Sequence, residues 1–522
     1  MQNIKVMNVM GIQEKQKTKK EPIKDQLHHF DHDPLNHDPL NQDSLSQGSL
    51  NQDVPKQRAL KKIPEDYKPF SYWLEKNHYY HHRLKKFYRF TIPEGMRVLA
   101  LQCKNGYLLD AVKPSYGVGV DVDPMVIQEA KETYSRHHFY TGTIADLDEK
   151  EPFDYIMLSS ITMDTYDIQA LFESLKPFCH AGTRIVIDSY SSIWEPILRL
   201  TQKIGLRRKT EFKNWLTQED IAHVLYLSNY QVVHQSHFML LPVYIPLIST
   251  LFNAFIKHIP GINRLCLHQS IVARPMFIKR DAQDYTVSVV IPCKNEKGNI
   301  EAAVKRTPQM GKFTELIFVD GNSVDGTLDE MKRVAKKYPD RSISIHVQKG
   351  KGKGDAVRLG FDYAIGDIVM ILDADLTAPP EEIPKFYYAL IENKGECING
   401  SRLVYNMETG AMRLLGFFAN YFFGRLFSWL LGQRVKDTLC GTKVLWKEDY
   451  QLIARNRSFF GNFDPFGDFD LLFGAAKLNL KIVDMPVHYK DRTYGTTQIR
   501  KFYCLWILLG MCALAMKKLK FR

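Results

Sequence analysis

Short apolar runs alternate with amphipathic, helix-length segments over most of the chain beyond residue 66. In the first half, Arg97-Val-Leu-Ala-Leu101, Gly117-Val-Gly-Val-Asp121, Tyr155-Ile-Met-Leu158 and Arg184-Ile-Val-Ile-Asp188 read as buried strands. The rhythm returns in the second half with Val287–Pro292, Glu315–Asp320, Ile343–Val347 and Ile368–Leu372, each rich in β-branched residues and bounded by turn residues. Alternation of this kind predicts parallel sheets with right-handed crossovers, and ligands gathered at the carboxyl ends of the strands. The expected fold class is α/β, with two doubly wound domains. Their expected bounds are 66–276 and 286–501, joined by a polar linker at 277–285.

Other stretches depart from this pattern. Residues 1–65 include HDPLN-HDPLN-QDSLS-QGSLN-QDVPK from His32 onward, a pentad repeat too short and too polar to bury a face, and read as a disordered tail. Three stretches are apolar nearly throughout: Phe238–Ile256, Ala411–Gly432 and Phe502–Met516. Pro242 and Pro246 break the first, and Arg413, Asn420 and Arg425 interrupt the second. The third, within a C-terminal segment 502–522, gives about 23 Å of helix against a hydrocarbon core of about 30 Å. Segment 238–265 reads either as a membrane-facing surface element or as a helical pair covering its own core. The third stretch, followed by Lys517, Lys518, Lys520 and Arg522, reads as an interfacial anchor on the cytoplasmic leaflet, with a short tilted span as the alternative.

Length and charge sharpen the picture. A chain of 522 residues is too long for one core. A net charge of +12 suits anionic partners: nucleic acid, a membrane surface or phosphorylated ligands. The eight cysteines form no C-x-x-C pair, which argues against zinc or a disulfide framework and for a reducing compartment. The N-terminus is polar and lysine-rich, so no secretory signal is expected.

The densest chemistry lies where Ile368–Leu372 empties into Asp373-Ala-Asp-Leu-Thr377. Carboxylates beside a core are costly unless a cation pairs with them. Two of them one residue apart suit a hard divalent ion that is also bridged to substrate phosphates. Glu296 and Asp320 sit at the ends of two other strands, where acids can accept hydrogen bonds from a base edge or a ribose. The loop Lys349-Gly-Lys-Gly-Lys-Gly354 reads as an anion cradle or as a solvated charged turn.

Several motifs fall in order. Val290-Ile-Pro-Cys-Lys-Asn-Glu296, Val319-Asp-Gly-Asn-Ser-Val-Asp-Gly-Thr327, Asp373-Ala-Asp375, Gly400-Ser-Arg402 and Asp491-Arg-Thr-Tyr-Gly-Thr-Thr-Gln498 together resemble a family 2 glycosyltransferase of the GT-A nucleotide-sugar-binding type. The likeness runs from Val287 to about Phe502 and is nearest to dolichyl-phosphate mannose synthases and their bacterial polyprenyl-phosphate relatives. It implies Mg²⁺ or Mn²⁺ held by Asp373, Asp375 and Thr377. It also implies a nucleotide bounded by Pro292, Lys294, Glu296, Asp320, Asp373 and Ala374, with Arg402 and Arg492 facing the phosphates of donor and acceptor. Where the mannose synthases carry a lysine six residues after that arginine, this chain has Gln498, with Arg500 or Lys501 as substitutes. Asp468 and Asp470 match the family's late acidic pair. A phosphate acceptor needs no strong base, whereas a sugar hydroxyl would need one of these two, Asp468 in preference; a helix-capping role is the alternative.

The first half carries a second likeness. A strand, a loop with Gly106, a helix and a second strand closed by Asp121 resemble a class I S-adenosylmethionine-dependent methyltransferase with a Rossmann-like fold, over roughly Tyr67 to Pro275. This implies S-adenosylmethionine near Gly106, with Asp121 on its ribose. The family's V-L-E-x-G-C-G-x-G stands here as Val98-Leu-Ala-Leu-Gln-Cys-Lys-Asn-Gly106, so the acid is Ala100 and two glycines are Gln102 and Lys104. Side chains at those positions are expected to obstruct both positive φ and the cofactor's approach. The combined expectation is a glycosyltransferase on the cytoplasmic face of a membrane. It would use a nucleotide-sugar donor and a polyprenyl phosphate or other lipid-linked acceptor, with a methyltransferase-like half that has lost or weakened its chemistry and with no nucleic-acid partner. A bifunctional enzyme that methylates the transferred sugar, and a non-catalytic binding protein, are the alternatives.

Overall fold

The apolar runs become two seven-stranded sheets among the described residues, which are 68–208, 214–405, 414–461, 467–495 and 501–521 of a computed structural model. The pentad-repeat tail and Gln498 lie outside the described residues. The first sheet comprises β1 (Arg97–Leu101), β2 (Tyr116–Asp121), β3 (His138–Thr141), β4 (Phe153–Ser159), β5 (Cys179–Tyr190), β6 (Tyr230–Phe238) and β7 (His268–Pro275). Its order is β3-β2-β1-β4-β5-β7-β6, with β1 to β5 parallel and β7 antiparallel to both neighbours. The second comprises β8 (Thr286–Cys293), β9 (Phe313–Asp320), β10 (Ser342–Val347), β11 (Ile368–Ile371), β12 (Cys397–Ser401), β13 (Lys443–Trp446) and β14 (Ile482–Pro486), in the order β10-β9-β8-β11-β13-β12-β14. Both sheets are α/β and doubly wound, as the alternation predicts.

The second sheet is not wholly parallel, however. The four-residue β13 inserts antiparallel between β11 and β12. It is short, begins with a lysine and follows an apolar helix, so it carries none of the length or alternation that marks a strand. Its place beside β11 brings Gly441 and Lys443 to the strand end that carries Asp373. All four residues of β11 are fully buried, as its apolar text requires.

A buried ionic joint ties the two sheets together. Glu396, just before β12, accepts from Arg184 Nη2 of β5 at 2.7 Å and lies 3.7 Å from Arg274 Nη1 of β7. Arg184 also donates to the carbonyls of Asn479, Gly182 and Thr183, and Arg274 Nη1 donates to Asn393 Oδ1 at 2.8 Å. Burial would raise the Glu396 carboxyl, but Arg184 and Arg274 outweigh it and hold it below the ordinary carboxylate range.

Two of the three apolar stretches pack in part on the core of the second sheet. Helix Leu414–Leu431 buries Phe423, Phe427 and Leu430 on the core of the second sheet, and helix Lys501–Ala515 adds Leu508, Met511 and Cys512 to the same core. No helix among the described residues is long and apolar enough to cross a membrane. Over the first sheet, helix His78–Thr91 buries Leu84, Phe87 and Tyr88, and its His81 Nδ1 meets Tyr107 Oη at 3.0 Å. Burial, with help from Lys104 and Lys85, pushes the His81 imidazole down to about 3.

Replacing Glu396 with Ala leaves two buried guanidiniums without their counter-charge and should destabilise the fold by about 3–5 kcal/mol in urea unfolding. His81 stays neutral when folded but takes a proton near pH 6.5 when unfolded, so it contributes stability above 6.5 that drains away as pH falls toward 3. Between pH 7 and pH 5 the protein should lose about 1–2 kcal/mol more than His81→Gln does, measured by parallel denaturant titrations.

Candidate active site

Three parallel strands of the second sheet end side by side and deliver acids to one crevice. At the end of β8, the Glu296 carboxylate accepts from Arg492 Nη1 at 2.8 Å and from Asn299 Nδ2 at 2.7 Å. Beyond β11, Asp375 Oδ2 accepts from the same guanidinium, through Nη2, at 2.6 Å. One arginine from the loop after β14 therefore bridges acids that stand 79 positions apart in the chain. Burial pushes the Glu296 carboxyl up, and Arg492 only partly offsets it. Asp375 is oriented from its other side by Thr377, whose backbone N–H and hydroxyl donate to Oδ1 at 3.1 and 2.9 Å.

Asp373 has a different partner. Lys353, at the start of helix Lys353–Tyr363, reaches it at 2.6 Å. Burial would raise Asp373, but Lys353 outweighs it and holds the carboxyl below its ordinary value. Lys353 is held above its own ordinary value by Asp373 and Asp468 against the effect of burial. Asp468, first residue of helix Asp468–Lys477, accepts from the fully buried Lys443 at 3.1 Å, while Asp470 is turned to Arg457 at 2.7 Å. Asp468 thus shares a charge cluster with Asp373, and Asp470 has a separate partner. Gly441 is wedged against the pair: a Cβ there would stand 2.1 Å from Asp373 Oδ2 and 2.2 Å from Lys353 Nζ.

The remaining predicted residues fall nearby or are tied elsewhere. Asp320 is buried at the end of β9; its Oδ2 accepts from Ser323 N–H at 3.1 Å, and its Oδ1 has no partner among the described residues. Pro292 is half-buried, Ala374 buried and Lys294 exposed. Of the lysines in loop 349–354, Lys349 and Lys351 point to solvent and only Lys353 enters the site, so the loop is not a three-lysine cradle. Arg402 is not aimed freely at a phosphate. Its Nε and Nη2 grip the buried Asp437 at 2.7 and 2.9 Å, and the guanidinium lies over the Tyr489 ring.

Sequence reasoning missed Asp437, Gly441 and Lys443, and also Tyr494, whose ring crosses Gly298 so closely that a Cβ there would stand 2.5 Å away. One signal was present: Asp437 is the sole acid between Glu408 and Glu448.

The corresponding strand ends of the first sheet are closely packed. Gln102 and Lys104 both take left-handed φ, +49° and +54°, so side chains there do not prevent the backbone path that glycines would follow. The path is imposed from outside, by Lys104 N–H donating to Asp121 Oδ2 at 2.9 Å and Cys103 N–H donating to the Val120 carbonyl. Asp121 also accepts from Asp123 N–H at 3.0 Å, and burial pushes its carboxyl up. The Phe139 ring presses on Gly106 and Gly119, Cys103 Sγ on Gly119, and the gap left beside Gln102 and Met157 is about 10 Å³, enough for one water.

Residues 288–450 match the family model described as Glycosyl transferase family 2. An undecaprenyl-phosphate 4-deoxy-4-formamido-L-arabinose transferase of Enterobacter sp. (strain 638) is 26% identical over 220 residues, 41% of this chain and 62% of the relative. A dolichol-phosphate mannosyltransferase of Pyrococcus furiosus is 40% identical over 120 residues, 23% of this chain and 33% of the relative. The chain therefore spans from 33% to 62% of the length of these curated relatives. Among solved structures, glucosyl-3-phosphoglycerate synthase of Mycobacterium tuberculosis is 18% identical, with a TM-score of 0.33 over 46% of this chain and 81% of its own. An S-adenosylmethionine-dependent methyltransferase of Thermotoga maritima is 11% identical, with a TM-score of 0.32 over 39% of this chain and 93% of its own. The acid pair beyond β11, the Glu296 loop and Arg402 all fall inside the matched span, and residues 288–450 are a glycosyl transferase family 2 domain.

Proposed function

We propose that the protein transfers a sugar from a nucleotide-sugar donor to a polyprenyl phosphate or other lipid-linked acceptor, at the cytoplasmic face of a membrane. The observation that carries this reading is the convergence of Glu296 and Asp375 on Arg492. Acids from two strand ends meet at one cation, in the place where a pyrophosphate would bring negative charge. The names of the relatives, undecaprenyl-phosphate and dolichol-phosphate sugar transferases, favour a lipid phosphate as acceptor.

The residues fit a divalent ion of the Mg²⁺ or Mn²⁺ kind. Asp373, Asp375 and Thr377 offer only hard oxygen donors, and both carboxylates are balanced by side-chain cations that can move. No group of three acid, histidine or cysteine side chains converges among the described residues, so the remaining ligands would be phosphate oxygens and water. Once bound, such an ion supplies Lewis-acid stabilisation of the leaving diphosphate. The chain's own part is positional. Asp320 Oδ1 and Glu296 accept hydrogen bonds from base or ribose, with Pro292, Lys294 and Ala374 around them. As the diphosphate enters, Arg492 exchanges its carboxylates for phosphate oxygens and so frees Asp375. Arg402, anchored by Asp437, adds positive potential from a fixed position, and Gln498 belongs to the same closing loop by sequence. Asp468, oriented by its hydrogen bond from Lys443, would take the proton from a hydroxyl acceptor; Asp470 is the less suited of the pair because Arg457 holds it.

The first half is proposed as a scaffold without methyl transfer, because Phe139 and Cys103 pack closely at its strand ends and Asp121 is occupied by backbone donors. Titration calorimetry with S-adenosylmethionine should show no binding; a micromolar Kd would restore the bifunctional reading. Asp375→Asn should lower kcat/KM for nucleotide-sugar transfer by about 10²–10³-fold or more, and turnover at the native rate would leave only a binding role.

A further inference from the structure

Helix Ile248–Ala254 is built inside out. Its buried residues are Ser249 and Asn253, while Ile248 and Leu251 are exposed. Both buried polar side chains work as clasps. Asn253 Oδ1 accepts from Leu240 N–H at 2.7 Å and Leu241 N–H at 3.1 Å, and its amide donates to the Leu241 carbonyl and to Tyr79 Oη. Ser249 Oγ accepts from Ile245 N–H at 2.7 Å and donates to the Val243 carbonyl at 2.8 Å. The loop before the helix is thereby fastened to the body with its apolar side chains turned outward. Val243, Tyr244, Leu247, Leu251, Phe255 and Ile259 are all exposed, Tyr244 to 65% and Leu247 to 86%. Leu247 also adopts φ +62°, a conformation that costs a leucine energy, so strain is tolerated in order to hold that side chain out.

The second half borders this face. Phe521 packs on Phe255 at 5.0 Å and on His258 at 5.6 Å, and His258 Nε2 lies 2.8 Å from the Lys520 carbonyl. Trp429 completes an apolar groove of about 510 Å³ with Phe255, Ile259, Pro260 and Phe521. The charge around it is of one sign. Residues 221–280, 414–436 and 501–521 contain no Asp or Glu, and the last of these stretches carries Lys517, Lys518 and Lys520, with Lys520 Nζ 5.6 Å over the Trp429 ring of the groove.

The geometry points to an anionic bilayer surface as the occupant: Tyr244, Leu247, Leu251 and Phe255 of the first half enter the boundary between headgroups and acyl chains, and the basic C-terminal end meets lipid phosphates. A clasped, apolar-outward helix bordered by cations is what that boundary accommodates. The lipid-acceptor reading gives this docking its purpose, and the test separates the two. Full-length protein is floated with vesicles of phosphatidylglycerol and phosphatidylcholine or of phosphatidylcholine alone, and sugar transfer to polyprenyl phosphate is measured independently in detergent micelles. Binding should be strong only to the anionic vesicles. It should fall about tenfold or more in the double variant Leu247→Glu/Leu251→Glu, and stay unchanged in Tyr166→Glu, which alters an exposed tyrosine elsewhere on the first sheet. Transfer in micelles should survive in all three proteins. Undiminished flotation of the double variant would overturn the proposal, as would an equal loss in Tyr166→Glu. A lipid-free dimer that the double variant converts to monomer would assign the face to a second copy and overturn it too. Flotation as expected with no transfer to any polyprenyl phosphate would sink the acceptor reading and leave the docking face standing.

Discussion

A buried carboxylate, Glu396, is the charged centre of a polar seam between the two halves, to which Asn393 and Asn479 add hydrogen bonds. It lies between Arg184 and Arg274, which belong to the first sheet, and itself leads into β12 of the second. Ion pairs of this kind add little net stability over an apolar contact, yet removing one member is costly because the others stay buried. They enforce a particular fit. Here the fit matters because β12 ends at Ser401, next to the Arg402–Asp437 pair, while β7 begins just after the apolar loop and helix that form the outward face. Crevice and face are therefore fixed to the same joint.

Within the crevice, four of the acids already have a cationic partner, though Glu296 and Asp375 must share one. Asp373 is matched by Lys353, Asp375 and Glu296 by Arg492, and Asp468 by Lys443. An arginine suits the bridging position because its planar fork engages two carboxylates at once, one through each terminal nitrogen.

The parallel strands were legible because their runs are β-branched, short and bounded by turns, and the acids at their ends could be placed by topology alone. β13 was not legible, since Lys443-Val-Leu-Trp446 is too brief to show a period and opens on a charged residue. Arg402 was expected to face the phosphates of donor and acceptor, and its grip on Asp437 was not legible because it depends on a fold contact across 35 positions. The glycine-loop expectation failed for a different reason. Local preference disfavours φ > 0 at Gln102 and Lys104, yet backbone hydrogen bonds donated to Asp121 and Val120 impose it, so tertiary contacts override propensity there. The apolar stretch after β6 stayed ambiguous because a run of apolar residues looks the same whether it faces a core or lipid. Ser249 and Asn253, spaced four apart, mark which way it turns.

Gly441 shows how narrow the tolerance of such an arrangement is. Its hydrogen sits where any other residue would carry a carbon, within about 2 Å of both ends of the Asp373–Lys353 pair. Even a methyl group would have to displace one of those ends. Because those ends belong to side chains and not to the backbone, the first casualty of an added methyl would be the contact between Asp373 and Lys353, with the strand behind it left in place.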